Sequence, residues 1–154
     1  MNKLLAALML LSSGCATVGT QKSEVDYCGR VGPVLVSIKR FNGWVGCKEA
    51  LDTTNRAYAL LIEKAGPLHR PWNLEYTNGF IAIDNPLGTT YPANQKIVVR
   101  SSHSNAVFHE FLHAYMFENT LSGISQHARI CTNDSWRKAD ADFVGPPRYC
   151  YMRN

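Results

Sequence analysis

His109, Glu110 and His113 are the residues of this chain whose types and spacing most directly suggest chemistry. They stand in the run His109-Glu110-Phe111-Leu112-His113, within a stretch rich in apolar residues from Ala106 to Phe117. That composition predicts a helix from the candidate caps Ser101 to Ser104 to about Leu121, buried on nearly all sides. On an α-helix, residues four apart project from one face, one turn from each other, so the two imidazoles can bind one metal ion. Zinc suits imidazole nitrogen, takes a tetrahedral ligand set, and in catalytic sites leaves one position for water. Glu110 sits beside the first imidazole, where its carboxylate can take a proton from a water acidified by the metal. Burying two histidines and a carboxylate in an apolar helix also requires compensation.

The remaining elements must hold that helix. Val34-Leu35-Val36-Ser37-Ile38 follows Gly32-Pro33 and reads as a strand. From Ala50 to Ala65 the apolar positions recur at spacings of three and four, one face of a helix that Gly66-Pro67 ends. Leu74-Glu75-Tyr76 and Phe80-Ile81-Ala82-Ile83, joined through Asn78-Gly79, read as a β-hairpin, because both turn residues tolerate positive φ. Residues 85–94 carry two prolines and a glycine and are expected to be loop, Ile97-Val98-Val99 a short strand, and 135–143 a further helix before Gly145-Pro146-Pro147. The order predicts an α+β domain: a short mixed sheet packed on the buried histidine-bearing helix and one further long helix.

Length and composition fit one domain. The chain has 154 residues, 45% of them hydrophobic and 18% charged, an ordinary globular balance that excludes overall disorder. The net charge of +4 comes from basic residues scattered between Lys22 and Arg153, which argues against a nucleic-acid partner. Met1-Asn2-Lys3 begins a short basic segment, Leu4 to Leu11 is apolar, and Ser12-Ser13-Gly14 precedes Cys15, the order of a secretory signal. The apolar run is far shorter than the roughly 20 residues of a membrane-spanning helix. Five cysteines are an odd number, and setting Cys15 apart leaves Cys28, Cys47, Cys131 and Cys150. Four cysteines in an exported domain allow two disulfides in three pairings. The sequence-local pairing, Cys28–Cys47 and Cys131–Cys150, would staple both ends of the fold. A four-cysteine metal site is disfavoured by the lack of close cysteine pairs.

Two resemblances extend this reading. Ser13-Gly14-Cys15 resembles a bacterial lipoprotein signal, although Ser12 stands where that pattern prefers leucine. The likeness implies a signal peptide over 1–14, a lipidated Cys15 with a tether over 15–27, and a domain over 28–154 held at a bacterial envelope membrane by its lipid anchor alone. His109-Glu110-Phe111-Leu112-His113 resembles the zincin metallopeptidases. Membership would imply zinc on His109 and His113, Glu110 as general base, a peptide or protein substrate, and an edge strand that pairs with extended substrate. Ile81 to Ile83 or Ile97 to Val99 are candidates for that strand.

The third ligand is not carried by the motif. The metzincin pattern is excluded by Phe117-Glu118-Asn119, and the glutamate used by gluzincins is absent, since Glu118 lies on the same helix, rotated away. His127, past Leu121-Ser122-Gly123, resembles the distal histidine of SprT-like peptidases without its flanking glycine, and Asp134 is the alternative. Arg148, Tyr149, Tyr151 and His103 are candidates to stabilise an oxyanion, while His69 and the tryptophans Trp44, Trp72 and Trp136 read as structural. A non-catalytic lipoprotein, stabilised by zinc and disulfides and binding a partner protein, is the competing expectation.

Overall fold

The computed structural model of the protein describes residues 25–39, 46–78, 87–100, 105–121, 125–144 and 150. The first described element is strand β1 (Val25–Val31), which turns at Gly32-Pro33 into antiparallel β2 (Val34–Lys39). Gly32 adopts φ +54°, and a Cβ there would lie 2.5 Å from the Tyr58 ring, so glycine alone satisfies both the turn and the packing. Helix α1 (Cys47–Lys64) follows and leads to β3 (Trp72–Thr77), parallel to β2. The short β4 (Gly88–Tyr91) and a single 3-10 turn at Pro92–Asn94 precede β5 (Lys96–Arg100). β5 runs parallel to β3 and antiparallel to β4, which completes a five-stranded mixed sheet in the order β1-β2-β3-β5-β4. Three helices close the domain: α2 (Val107–Glu118), α3 (Gln126–Thr132) and α4 (Asp134–Val144). The expected α+β class holds.

Strand alternation builds the core. Val34, Val36 and Ile38 of β2, Trp72, Leu74 and Tyr76 of β3, and Ile97 and Val99 of β5 are buried. They belong to one hydrophobic cluster with Ala57, Tyr58 and Leu61 of α1 and Phe108, Phe111 and Leu112 of α2. The intervening residues are more polar and include Asn73, Glu75 and Lys96, with Lys96 paired to Glu75 at 3.1 Å. A sheet apolar on one face and helices covering that face is the two-layer solution to burying both. α1 packs on β1, β2 and α2, while α2 also meets β4 and α4.

Two polar clamps orient α2. Its last residue, Glu118, accepts hydrogen bonds from the backbone N–H of His69 (2.6 Å) and Arg70 (3.0 Å) and from Trp72 Nε1 (2.6 Å), tying the helix end to the entry of β3. A single carboxylate receiving three donors makes charge-assisted bonds, stronger than neutral ones. On the far side Trp136 of α4 lies edge-on to Tyr115 and donates its indole N–H to Lys64 O at 3.0 Å, joining α4 to the end of α1.

Several local expectations change. The strand β1 begins at Val25, so Val25 to Tyr27 belong to the domain rather than to a tether. β3 is paired on one edge by β2 and on the other by β5, which leaves no edge of it for the expected hairpin partner. Ile97 to Val99 are interior to the sheet, and the edge strand beside α2 is β4, in a stretch expected to be loop. Period-two apolarity is too weak in Gly88-Thr89-Thr90-Tyr91 for its sequence to show a strand. The signal segment, Cys15, Trp44, the 80–83 strand, the 101–104 caps with His103, and Arg148, Tyr149 and Tyr151 lie outside the described residues.

The disulfides take the sequence-local pairing, Cys28–Cys47 joining β1 to the first turn of α1 and Cys131–Cys150 joining α3 to a cysteine beyond α4, each across 19 residues. Loops of this length constrain the unfolded chain by about 3 kcal/mol in the chain-entropy description. Replacing Cys28 and Cys47 together by serine is therefore expected to lower unfolding free energy in urea by about 3 kcal/mol. An unchanged midpoint and slope would show that this bond contributes nothing to stability.

Candidate metal centre

Every residue of the centre is delivered by one of three helices and one strand. α2 presents His109 and His113 one turn apart, and α3 brings His127 opposite them. The three Nε2 atoms form a close triangle: His109 to His113 3.0 Å, His113 to His127 3.2 Å, and His109 to His127 3.3 Å. Among the described residues these three histidines are the group able to hold a metal ion. His127 thus joins the pair on α2. Asp134, the alternative third ligand, instead opens α4, where its exposed carboxylate pairs with Arg137 at 2.6 Å.

The outer nitrogens determine what the inner ones can do. His109 Nδ1 lies 3.1 Å from Asp140 Oδ2, and His113 Nδ1 lies 2.7 Å from Gln126 Oε1. An ionised carboxylate and an amide oxygen accept only, so both Nδ1 atoms carry the proton and both Nε2 atoms present lone pairs when the rings are neutral. Two lone pairs 3.0 Å apart repel unless a cation lies between them. Two nitrogens on one tetrahedral zinc, each at about 2.0–2.1 Å, are separated by about 3.3–3.4 Å. The observed triangle is close to that spacing, and the donor set fits a metal ion of imidazole preference.

Electrostatics favour a cation at the same point. Burial works to lower the proton affinity of His109, yet the hydrogen bond and charge of Asp140 and the charge of Glu110 outweigh it and raise its pKa above the ordinary value. A negative environment that keeps a proton on His109 equally attracts a metal. His113 is pushed down to about 3, first by burial and then by the charges of His109 and His127. Burial and His109 likewise lower His127. Positive charge on His109 thus opposes protonation of the other two rings.

Glu110 lies at the floor of the centre, 1% exposed. Its Oε2 accepts from Thr90 Oγ1 at 2.8 Å, and the same hydroxyl lies 3.1 Å from Glu110 O. Gly88 makes the fit possible, because a Cβ there would stand 2.8 Å from Glu110 Cγ and 2.9 Å from Oε1. Burial raises the Glu110 pKa, against the opposing charge of His109 and the Thr90 hydrogen bond. The result is a carboxylate with raised proton affinity beside a cation site. His109 is buried, His113 half-buried and His127 exposed, so the cluster opens to solvent on the α3 side.

Sequence reasoning did not find Asp140, Gln126, Thr90 or Gly88. Asp140 left one trace: it sits with Trp136, Ala139 and Phe143 on a single helical stripe, an acidic residue where packing calls for an apolar one. The other three carry no local signal, because their roles come from neighbours distant in sequence. His69 stays apart from the centre, with its backbone bound to Glu118. Comparison with known protein families, with curated proteins and with solved structures finds no match.

Two outcomes are expected. Asp140→Asn removes the charge that orients His109 and should weaken zinc binding by roughly 10- to 100-fold, read by chelator competition; unchanged affinity would remove Asp140 from the centre. The second concerns the metal-free protein. Because Glu110 has a raised native pKa, the folded chain binds more protons than the unfolded one, and stability declines as pH climbs from about 4.3 through the native value. Metal-free Glu110→Gln lacks that decline and should melt above metal-free wild type at neutral pH, with the gap closing under acid. A variant that melts lower at neutral pH would contradict the assigned burial cost.

Proposed function

We propose that the chain is a zinc-dependent hydrolase of the zincin type, a peptidase acting on envelope proteins or cell-wall peptides. The observation that carries this reading is a buried carboxylate, Glu110, set beside three converging imidazoles whose third member faces solvent. His109, His113 and His127 would hold the zinc, which when bound lowers the pKa of a water and polarises the scissile carbonyl. A fully enclosed four-ligand site would suit a structural zinc, and the open side favours catalysis instead.

The chain's own groups supply the remaining steps. Glu110 takes the proton of the attacking water at one carboxylate oxygen and later delivers it to the leaving amine. Its raised proton affinity brings its pKa nearer to neutral pH, where an acid–base group transfers protons most effectively. Thr90 holds Oε2 in place, so that the carboxylate loses little freedom in each turnover. Asp140 and Gln126 keep the Nδ1 protons of His109 and His113, so that both Nε2 lone pairs stay directed into the site.

A peptide substrate is favoured by β4. It is paired on one side by β5 and, among the described residues, has no strand on the other, and its Thr90 touches the general base. An extended chain laid along that edge would place its own carbonyls beside Glu110. The Cys15 signal pattern and two disulfides support an exported protein tethered at an envelope membrane by lipid, and no described helix is long and apolar enough to cross one.

Glu110→Gln provides the decisive measurement. The variant should retain one zinc per chain while its cleavage of unfolded casein, followed by fluorescence of a quenched label, drops by at least about 100-fold. Zinc retention with full activity would reject Glu110 as the base. A wild-type protein that binds zinc and cleaves neither casein nor a mixed peptide library would reject the peptidase assignment.

A further inference from the structure

We propose that the Cys131–Cys150 disulfide is a positioning element of the metal centre: it holds α3 so that His127 faces His109 and His113, and the three-histidine set is complete only after this bond has formed. The inference rests on reading the three histidines as metal ligands, and adds a dependence that the reading does not contain.

The geometry of α3 is the reason. The helix spans seven residues, about two turns, and helices of that length do not persist in water on their own. Its inward side is made by Gln126, His127, Ile130 and Cys131, spaced so that they share one face. Gln126 meets His113, His127 enters the cluster, Ile130 is the buried apolar anchor, and Cys131 is bonded to Cys150. Cys131 follows His127 by four residues, so the covalent tie lies one turn beyond the ligand on the same side. Ser125 caps the helix, accepting from Ala128 N at 3.2 Å. Against this, α2 is anchored by eight buried residues, and its two histidines are carried by a helix that is rigid without help. The third ligand is the one whose position depends on an added constraint.

The other disulfide serves as an internal contrast. Cys28–Cys47 joins β1 to α1, neither of which carries a ligand. Formation of the Cys131–Cys150 bond follows ordinary thiol–disulfide exchange: the two thiols give up two protons and two electrons to an external disulfide, which leaves as two thiols. In a reducing compartment the chain would hold two well-placed imidazoles and a loosely held third. In an oxidising compartment the set closes, so a hydrolase built this way acquires its full centre only after export.

The test is zinc affinity, measured by competition with a chromophoric chelator on the purified, oxidised full chain and its variants. Cys131→Ser/Cys150→Ser should bind zinc about 10- to 100-fold more weakly, while Cys28→Ser/Cys47→Ser should match wild type. Introduced on top of His127→Ala, the Cys131 and Cys150 substitutions should add no further loss, because the bond acts through that ring. Equal losses in both backgrounds would mean a general structural staple and overturn the proposal, as would wild-type affinity in the Cys131→Ser/Cys150→Ser protein. If that protein does not fold, phosphine reduction of Cys28→Ser/Cys47→Ser, followed by reoxidation with oxidised glutathione, gives the same reading: affinity must fall and then return. Failure of the oxidised wild-type chain to bind zinc would reject the metal reading and this dependence together, a result distinct from tight binding that ignores the bond.

Discussion

Three imidazole Nε2 atoms held within 3.0–3.3 Å of one another are the constraint on which the candidate metal centre depends. Neutral rings whose Nε2 lone pairs face one another repel, and positive charge at the centre of the triangle relieves that repulsion. The surrounding residues all serve that condition. Asp140 contributes negative charge and fixes one tautomer, Gln126 fixes a second, and Glu110 adds a carboxylate at the floor. A buried group of charges is tolerable when each member compensates another, and costly when one is removed.

Such a centre has to be carried on rigid supports. α2 is held by apolar contacts around most of its circumference, by the Glu118 clamp at its C-terminal end, and by β4 pressed against Glu110. Small residues matter at that last contact: Gly88 admits the carboxylate, and Thr90 supplies a hydroxyl that directs it. The sheet therefore does more than cover the helix, since its edge strand touches the group assigned as general base. α3, by contrast, is short and partly exposed, and reaches its place through His127 in the histidine cluster, the buried Ile130 and a covalent bond. α2 is the more buried support and α3 the less buried, on the side where the cluster opens to solvent.

Oxidation and metal binding are the two constraints that a small exported domain can add to a modest hydrophobic core. In this chain one bond fastens the outer strand β1 to the first turn of α1, while the other ties α3 one turn beyond His127 of the candidate metal centre. The proposed catalytic role draws on the second, so that the chemistry that stabilises the fold also completes the site.

Amino-acid sequence alone determined the elements whose signal is local. The periodicity of 50–65 placed α1, the apolar run around His109 placed a buried α2, and the β-branched apolar runs of β2 and β5 marked strands, while the sequence-local cysteine pairing was one of three that four cysteines allow. Helical spacing was sufficient to put His109 and His113 on one face, because that relation lies within a single turn. Tertiary structure decided everything that joins distant segments. It paired β3 with β2 and β5 rather than in a hairpin, made an edge strand of Gly88–Tyr91, and turned His127, Asp140 and Thr90 towards the same small volume. A residue's helical or strand face can be read from its neighbours in the chain, whereas the partner that face meets depends on how whole elements pack, and no short stretch of sequence contains that information.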